Sequence, residues 1–436
     1  MAKPSTLCQK LRSLEGSPPK AWSTVGVKAR PNLHGIFRYP AMMLPRMQGD
    51  IIDIIRSAKG APSRVVDPFV GSGTVMTEAL LRDLDFTGID INPLAVLVCE
   101  AKIAIDRGIN IEAAAEVLLS TLRFDVQESI DVDFPGRSKW FDDQSALRFS
   151  VLRRAIMSFD ESGTRKVFWT VFAETLRLCS NSRTSTYKLH IRKPEDHVAA
   201  DRVTEVFESN LSKTLMGVRE YRAQQKSQTR RPSVEVICGD VREAKSDRAS
   251  NDHQILVTSP PYGDNKTTIP YGQFSYLAMR WIPEYDLPSP IAAQLNSNTN
   301  SLDSASLGGS VRGAEEKEDC VRAKSPHFDA FVHKAKQLGK RKAIRKVSAF
   351  LGDFSEAISH LRTGPTSTAH WVLTTGNRTV AGLTVPFDSI CRDLLTGLGG
   401  NLITTLHRQI PSKRMPSRNS QGAMITAETT TIVEFA

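Results

Sequence analysis

The sequence predicts an α/β fold, a doubly wound and mostly parallel sheet interrupted by a large, mainly helical insertion. Three observations predict it. Residues 64–104 alternate strand, glycine turn, helix, strand, helix, the pattern of a parallel βαβ unit. Short apolar runs bounded by turn residues return after residue 232. Between them, residues 105–231 carry helical periodicity mixed with polar stretches.

Taken in order, residues 1–30 read as a polar, partly disordered arm. Ile51 to Ala58 has the apolar spacing of a short helix. Arg64 to Asp67 is a short buried strand, Pro68 to Gly73 a turn, and Thr74 to Leu84 a helix. Phe86 to Ile91 is a second strand and Pro93 to Ala104 a second helix. Helical patterns at Ile111–Leu122 and Val171–Leu178 lie within the insertion. Further strands are expected at Val234–Cys238, Gln254–Val257 and His370–Thr374, and an antiparallel pair at Asn401–Leu406 and Thr429–Phe435. Residues 286–330 are rich in Ser, Asn and Gly and poor in large apolar residues. Such a segment gains little from burial to offset its ordering entropy, and it reads as a flexible loop within the sheet domain. The sheet domain is thus expected from 31–104 and 232–436.

The chain has 436 residues, long enough to bury a sizeable core, and a net charge of +10 from 57 basic and 47 acidic residues. Excess positive charge suits a polyanionic partner, although many basic proteins bind none. The six cysteines form no CxxC pair, which disfavours a zinc ribbon or a disulfide framework and points to a reducing cytoplasm. No bilayer-spanning segment and no metal-ligand pattern is evident.

Two motifs carry the chemistry. Asp67-Pro68-Phe69-Val70-Gly71-Ser72-Gly73 follows a strand and opens a helix. Its glycines allow close approach to a ligand, and the helix start offers N–H donors and the positive end of a dipole. Asp67 is placed to meet a ligand ammonium, and Asp90, at the second strand's end, to accept from ribose hydroxyls. A third glycine, as a dinucleotide reader would show, is replaced by Met76. Thr258-Ser259-Pro260-Pro261-Tyr262-Gly263 follows an apolar strand. Two prolines fix a stiff loop and leave carbonyl acceptors free. Ser259 and the Pro260 carbonyl then suit the N–H groups of an aromatic amine, with Tyr262 stacking on its π face.

This pair of motifs resembles the DNA amino-methyltransferases, the N4-cytosine and N6-adenine enzymes, of the type with Ser-Pro-Pro-Tyr at Ser259 to Tyr262. Asp67 to Gly73 and Gly88 to Ala95 (GIDINPLA) match as well. His34 to Ala41, with Tyr39 and Pro40, looks like the segment that packs over the methionine part of the cofactor. Cys238 to Val241 looks like the third strand end, placing Asp240 near the adenine. The resemblance implies a seven-stranded Rossmann-like methyltransferase sheet and S-adenosyl-L-methionine as cofactor. Phe69, Gly71, Gly73, Asp90 and Ile91 would be cofactor contacts, beside Asp67 and Pro68. Ser259, Pro260, Pro261 and Tyr262 would serve catalysis without a metal. It further implies direct methyl transfer to a flipped base, cytosine N4 favoured because Ser heads the motif. N6-adenine and RNA guanine-N2 enzymes, or a non-catalytic module that kept the fold, stay open as alternatives. DNA is the implied partner, with restriction–modification or host defence as the setting and no oligomeric state implied.

A cytosine-C5 enzyme is disfavoured, since no Pro-Cys pair occurs. The insertion is the candidate region for reading the target sequence. Candidate DNA contacts are Arg183 and Lys188 inside it, Lys340, Arg341 and Lys342 in the basic run 334–346, and Lys413 and Arg414 at a late turn. Thr267, Thr268, Tyr271 and Phe274 are placed to line a target pocket or simply to pack.

Overall fold

Short β-branched runs separated by helices pair into one central sheet, in a computed structural model of the chain. It describes residues 5–16, 29–60, 64–225, 230–244, 253–266, 268–288, 292–362, 369–410 and 425–435. The strands are β1 (Arg64–Asp67), β2 (Asp85–Asp90), β3 (Val234–Cys238), β4 (Gln254–Thr258), β5 (Ala369–Thr375), β6 (Arg378–Val380), β7 (Leu383–Val385), β8 (Asn401–Gln409) and β9 (Ala427–Phe435). Seven of them form a sheet in the order β3-β2-β1-β4-β5-β9-β8, and β6 with β7 makes a separate hairpin. The pairs from β3 through to β5 are parallel, whereas β9 runs antiparallel to both β5 and β8. The sheet is therefore mainly parallel, and its late antiparallel pair is the one expected from the sequence.

Side chains alternate between the two faces, as strand geometry demands. Val65, Val257, Val372 and Ile432 pack with the helices Pro45–Lys59, Thr74–Leu80 and Pro93–Asp106. Leu256, Trp371, Leu373 and Val433 pack with Pro326–Gln337, Arg341–Arg362 and Phe387–Gly397. Residues 107–225 add a helical layer whose core is shared with the helices Pro93–Asp106 and Tyr271–Trp281, and in it Trp169, Phe149, Phe172 and Trp281 meet edge to face or tilted. Its helix Ser162–Cys179 packs against Pro93–Asp106. The strand order reverses between β1 and β4, which leaves a crevice at the carboxyl ends of the parallel strands.

The structure adds to three of these expectations. The arm 1–30 contains a helix, Thr6–Gly16. Leu7 and Leu11 are buried in the sheet core, and Arg12 donates to Thr404 Oγ1 at 3.1 Å. Two well-spaced leucines suffice to dock it. The helix after the glycine turn stops at Leu80, because Asp83 takes φ 57° and the chain turns into β2.

The described residues of 286–330 form helices at Ala292–Leu295, Ser301–Ala305 and Ala314–Lys324. Leu302, Leu307 and Val321 are buried, whereas Val311 stays 39% exposed. Backbone donors on either side of the contact find carboxylates, with Gly272 N–H donating to Asp303 and Gly308 N–H to Asp353, both at 2.8 Å. Distant partners supply what the segment's composition lacks.

Candidate functional site

The turn after β1 is held open by its neighbours. Gly71 N–H donates to Asp90 Oδ2 at 2.9 Å, tying the tip of β1 to the tip of β2, and Asn92 N–H donates to Asp90 Oδ1 at 2.8 Å. Gly71 takes φ 49°, and a Cβ there would sit 3.3 Å from the Tyr39 ring, so the position favours glycine. From behind, the buried Lys102 ammonium donates to the Ser72 carbonyl at 2.6 Å. Burial lowers this amine to about 8.

Two carboxylates face unusual surroundings. Asp67 is fully buried, and its Oδ1 accepts from Phe69 N–H at 3.1 Å and Thr258 Oγ1 at 2.6 Å. Its Oδ2 has no hydrogen-bond partner among the described residues. Burial outweighs these bonds and pushes its carboxyl up to about 7, and burial likewise raises Asp90 to about 6.

The loop after β4 begins one strand away, since β1 and β4 are paired neighbours. Ser259 Oγ and Tyr262 Oη lie 3.2 Å apart, and burial raises the Tyr262 phenol above its ordinary value. The Tyr262 ring backs onto Gly376, where a Cβ would lie 2.9 Å from it. Asp264 then forms a buried ion pair with Arg378 of β6 at 3.2 Å.

One cavity joins the two loops. Its floor is Pro68, Phe69, Gly71, Asp90 and Ile91, with Ser259 and Pro261 on the adjacent strand end. Tyr39, Pro40 and Tyr271 form a wall in which Tyr39 and Tyr271 stack at 5.4 Å, and Asn92 Nδ2 donates to the Tyr39 hydroxyl at 3.0 Å. Gly239 and Asp240 close the β3 side, and Leu302, Ser306 and Leu307 form a roof. Asp67, Gly73, Pro260 and Tyr262 are not among the residues that line this cavity, although Tyr262 is only half-buried. The Asp240 carboxylate is already engaged by the Arg242 guanidinium.

Sequence reasoning missed Asn92 and Asn265, which also line the cavity, and the roof. Asn92 was visible within GIDINP, but Leu302 and Leu307 carried no local signal. Tyr271 and Phe274 pack with Tyr39, and Tyr271 also lines the cavity. Arg183 is exposed and Lys188 half-buried on a strap whose ends pair through Ser182 and Ile191. Lys340, Arg341 and Lys342 are exposed beside the start of the helix Arg341–Arg362. Lys413, Arg414 and Thr267 lie outside the described residues. Among the described residues no group of three His, Cys, Asp or Glu side chains is placed to hold a metal, and no helix is long and apolar enough to cross a membrane.

The chain is similar to the Type II methyltransferase M.MvaI of Kocuria varians, with 28% identity over 405 residues, 89% of this chain and 86% of that one. That likeness supports a methyltransferase. No protein-family model matches the chain.

Proposed function

We propose that this chain is an S-adenosyl-L-methionine-dependent DNA methyltransferase acting on an exocyclic base amine, with cytosine N4 the favoured target. The observation that carries this reading is the single cavity shared by the glycine turn at Gly71 and the loop at Ser259 and Pro261, on neighbouring strands. The similarity to a Type II methyltransferase over most of both chains supports it independently.

The residues present fit the cofactor. Asp67 keeps a buried, unpartnered carboxylate oxygen suited to an ammonium. Phe69 and Gly71 offer a close turn, Tyr39 and Pro40 a wall, and Asp90 an acceptor for hydroxyls. When bound, the cofactor supplies an electrophilic methyl group. The chain's own task is to prepare the amine. Ser259 and the Pro260 carbonyl accept its N–H bonds, which favours a pyramidal nitrogen and a localised lone pair. Tyr262, braced by Gly376, holds the ring that carries the amine, and alignment provides the main gain. The base leaves its stack to reach this loop, at about a few kcal/mol in a duplex.

Nucleoside mass spectrometry of DNA from cells expressing the protein tests the reading. N4-methylcytosine is expected, and it is expected to vanish with Tyr262→Ala while cofactor affinity holds. N6-methyladenine in its place moves the target to adenine. Unmodified DNA in the presence of folded, cofactor-binding protein ends the proposal.

A further inference from the structure

We infer, resting on the reading above, that duplex DNA lies across the mouth of the cavity on two basic rims. One rim is the first turns of the helix Arg341–Arg362, with Lys340 before it, and the other is the strap 182–191.

The direction of the long helix places the first rim. At its far end, Arg362 lies over the Phe435 ring at 4.9 Å, and Phe435 pairs with Ala369 at the amino end of β5. In its middle, Phe350 packs against Gly308, where a Cβ would sit 2.8 Å from Phe350 Cβ and 3.1 Å from Asp264 Cβ. Asp264 belongs to the loop after β4, so Phe350 stands level with the catalytic edge. Residues 341–346 precede it and project about 6–14 Å beyond that edge at 1.5 Å per residue. The helix buries Ala343, Ile344 and Val347 and exposes Arg341, Lys342, Arg345 and Lys346, with Lys340 exposed beside them. None of these five cations has a carboxylate partner among the described residues, whereas Lys336 nearby pairs with Glu318 at 2.8 Å.

The second rim is fixed to the opposite wall. Arg183 N–H donates to the His190 carbonyl at 2.8 Å, and Leu189 N–H to Gln273 Oε1 at 3.2 Å, which seats the strap on the helix Tyr271–Trp281. Tyr187, 39% exposed, meets Phe274 at 6.0 Å, and Phe274 meets Tyr39 of the cavity wall at 5.9 Å. Arg183, exposed, and Lys188, half-buried, lie on the same strap as this ring. Cations thus stand on the Leu307 side and on the Tyr39 side of one opening. A partner with phosphates on two strands satisfies both, and the chain's charge of +10 complements it.

The test measures anisotropy of a labelled duplex against salt for wild type, for Lys342→Glu with Arg345→Glu and Lys346→Glu, and for Arg183→Ala with Lys188→Ala. The helix variant is expected to bind at least about tenfold more weakly, its log–log salt slope shallower by ~2–3, and the strap variant's by ~1–2. Cofactor affinity is expected to be unchanged in both. Unaltered slopes in both variants, with wild type binding duplex, overturn the rims and leave the proposed activity standing. A loss seen only with single strands also overturns the duplex seat. Wild type that ignores duplex at every salt concentration overturns both readings.

Discussion

The floor of the cavity is made of strand ends and the turns that leave them, whereas the roof is a Ser-, Asn- and Gly-rich segment held from a distance. In the floor, Gly71, Asp90 and Asn92 are bonded within a few residues of strands that pair with one another. In the roof, Leu302 and Leu307 depend on Asp303 reaching Gly272 and on Asp353 reaching Gly308. Lys317 in turn holds Asp353, and Lys266 donates to the Gly309 carbonyl at 2.9 Å. Position in the floor is inherited from sheet geometry; position in the roof is assembled from tertiary contacts. The two are therefore expected to fail differently.

The largest effect is expected in the floor. Asp90→Ala removes the acceptor of two backbone donors together with an acceptor facing the cavity. Cofactor affinity is expected to fall by about 10–100-fold, since each charge-assisted bond contributes about 1.5–3 kcal/mol. Calorimetry reads this directly, and an unchanged dissociation constant would remove Asp90 from the binding surface.

The roof is expected to lose stability first. Gly308 takes φ 69° and touches Phe350, so Gly308→Ala is expected to cost about 1–3 kcal/mol. Thermal unfolding is expected to shift down and the cofactor to leave faster, with a milder loss of affinity than in Asp90→Ala. A melting temperature equal to wild type would show that the roof is anchored elsewhere.

The smallest effect is one of pH, and it sharpens the contrast because Asp90 belongs to the floor and Asp67 is buried at the end of the strand that leads into it. Burial sets Asp67 at about 7 and Asp90 at about 6 against an ordinary 3.8. Without a ligand, their contribution to stability is fully present below 3.8 and is lost as pH rises through 6 to 7. A cationic occupant favours the ionised forms, so its binding releases protons and tightens by a few-fold, about 3–10, between pH 5.5 and 7.5. Titration calorimetry in two buffers of different ionisation enthalpy checks it; zero proton release at pH 6 would mean that neither carboxyl meets positive charge.

What the sequence revealed follows the same division. The seven strands of the sheet and both motif loops were readable because each is specified within about ten residues by apolar runs, glycines and prolines. The helix Thr6–Gly16 escaped notice because two leucines in a polar stretch give little periodicity. The roof escaped because its composition suggests disorder while its anchors lie in other elements, Asp353 on the helix Arg341–Arg362 and Gly272 on Tyr271–Trp281. Arg242 and Arg378 were equally hidden, since the sequence does not show which cation will meet Asp240 or Asp264. Asp240, which the resemblance places near the adenine, is paired with Arg242.

The buried lysine under the glycine turn has a consequence of its own. With its ammonium fixed on the Ser72 carbonyl, and with Gly71 fastened to Asp90, the rim that greets an incoming molecule is rigid in advance. Little chain freedom is left to surrender there on association. Recognition at this turn is then a matter of matching a finished shape, and any adaptation to different occupants falls to the lid above it.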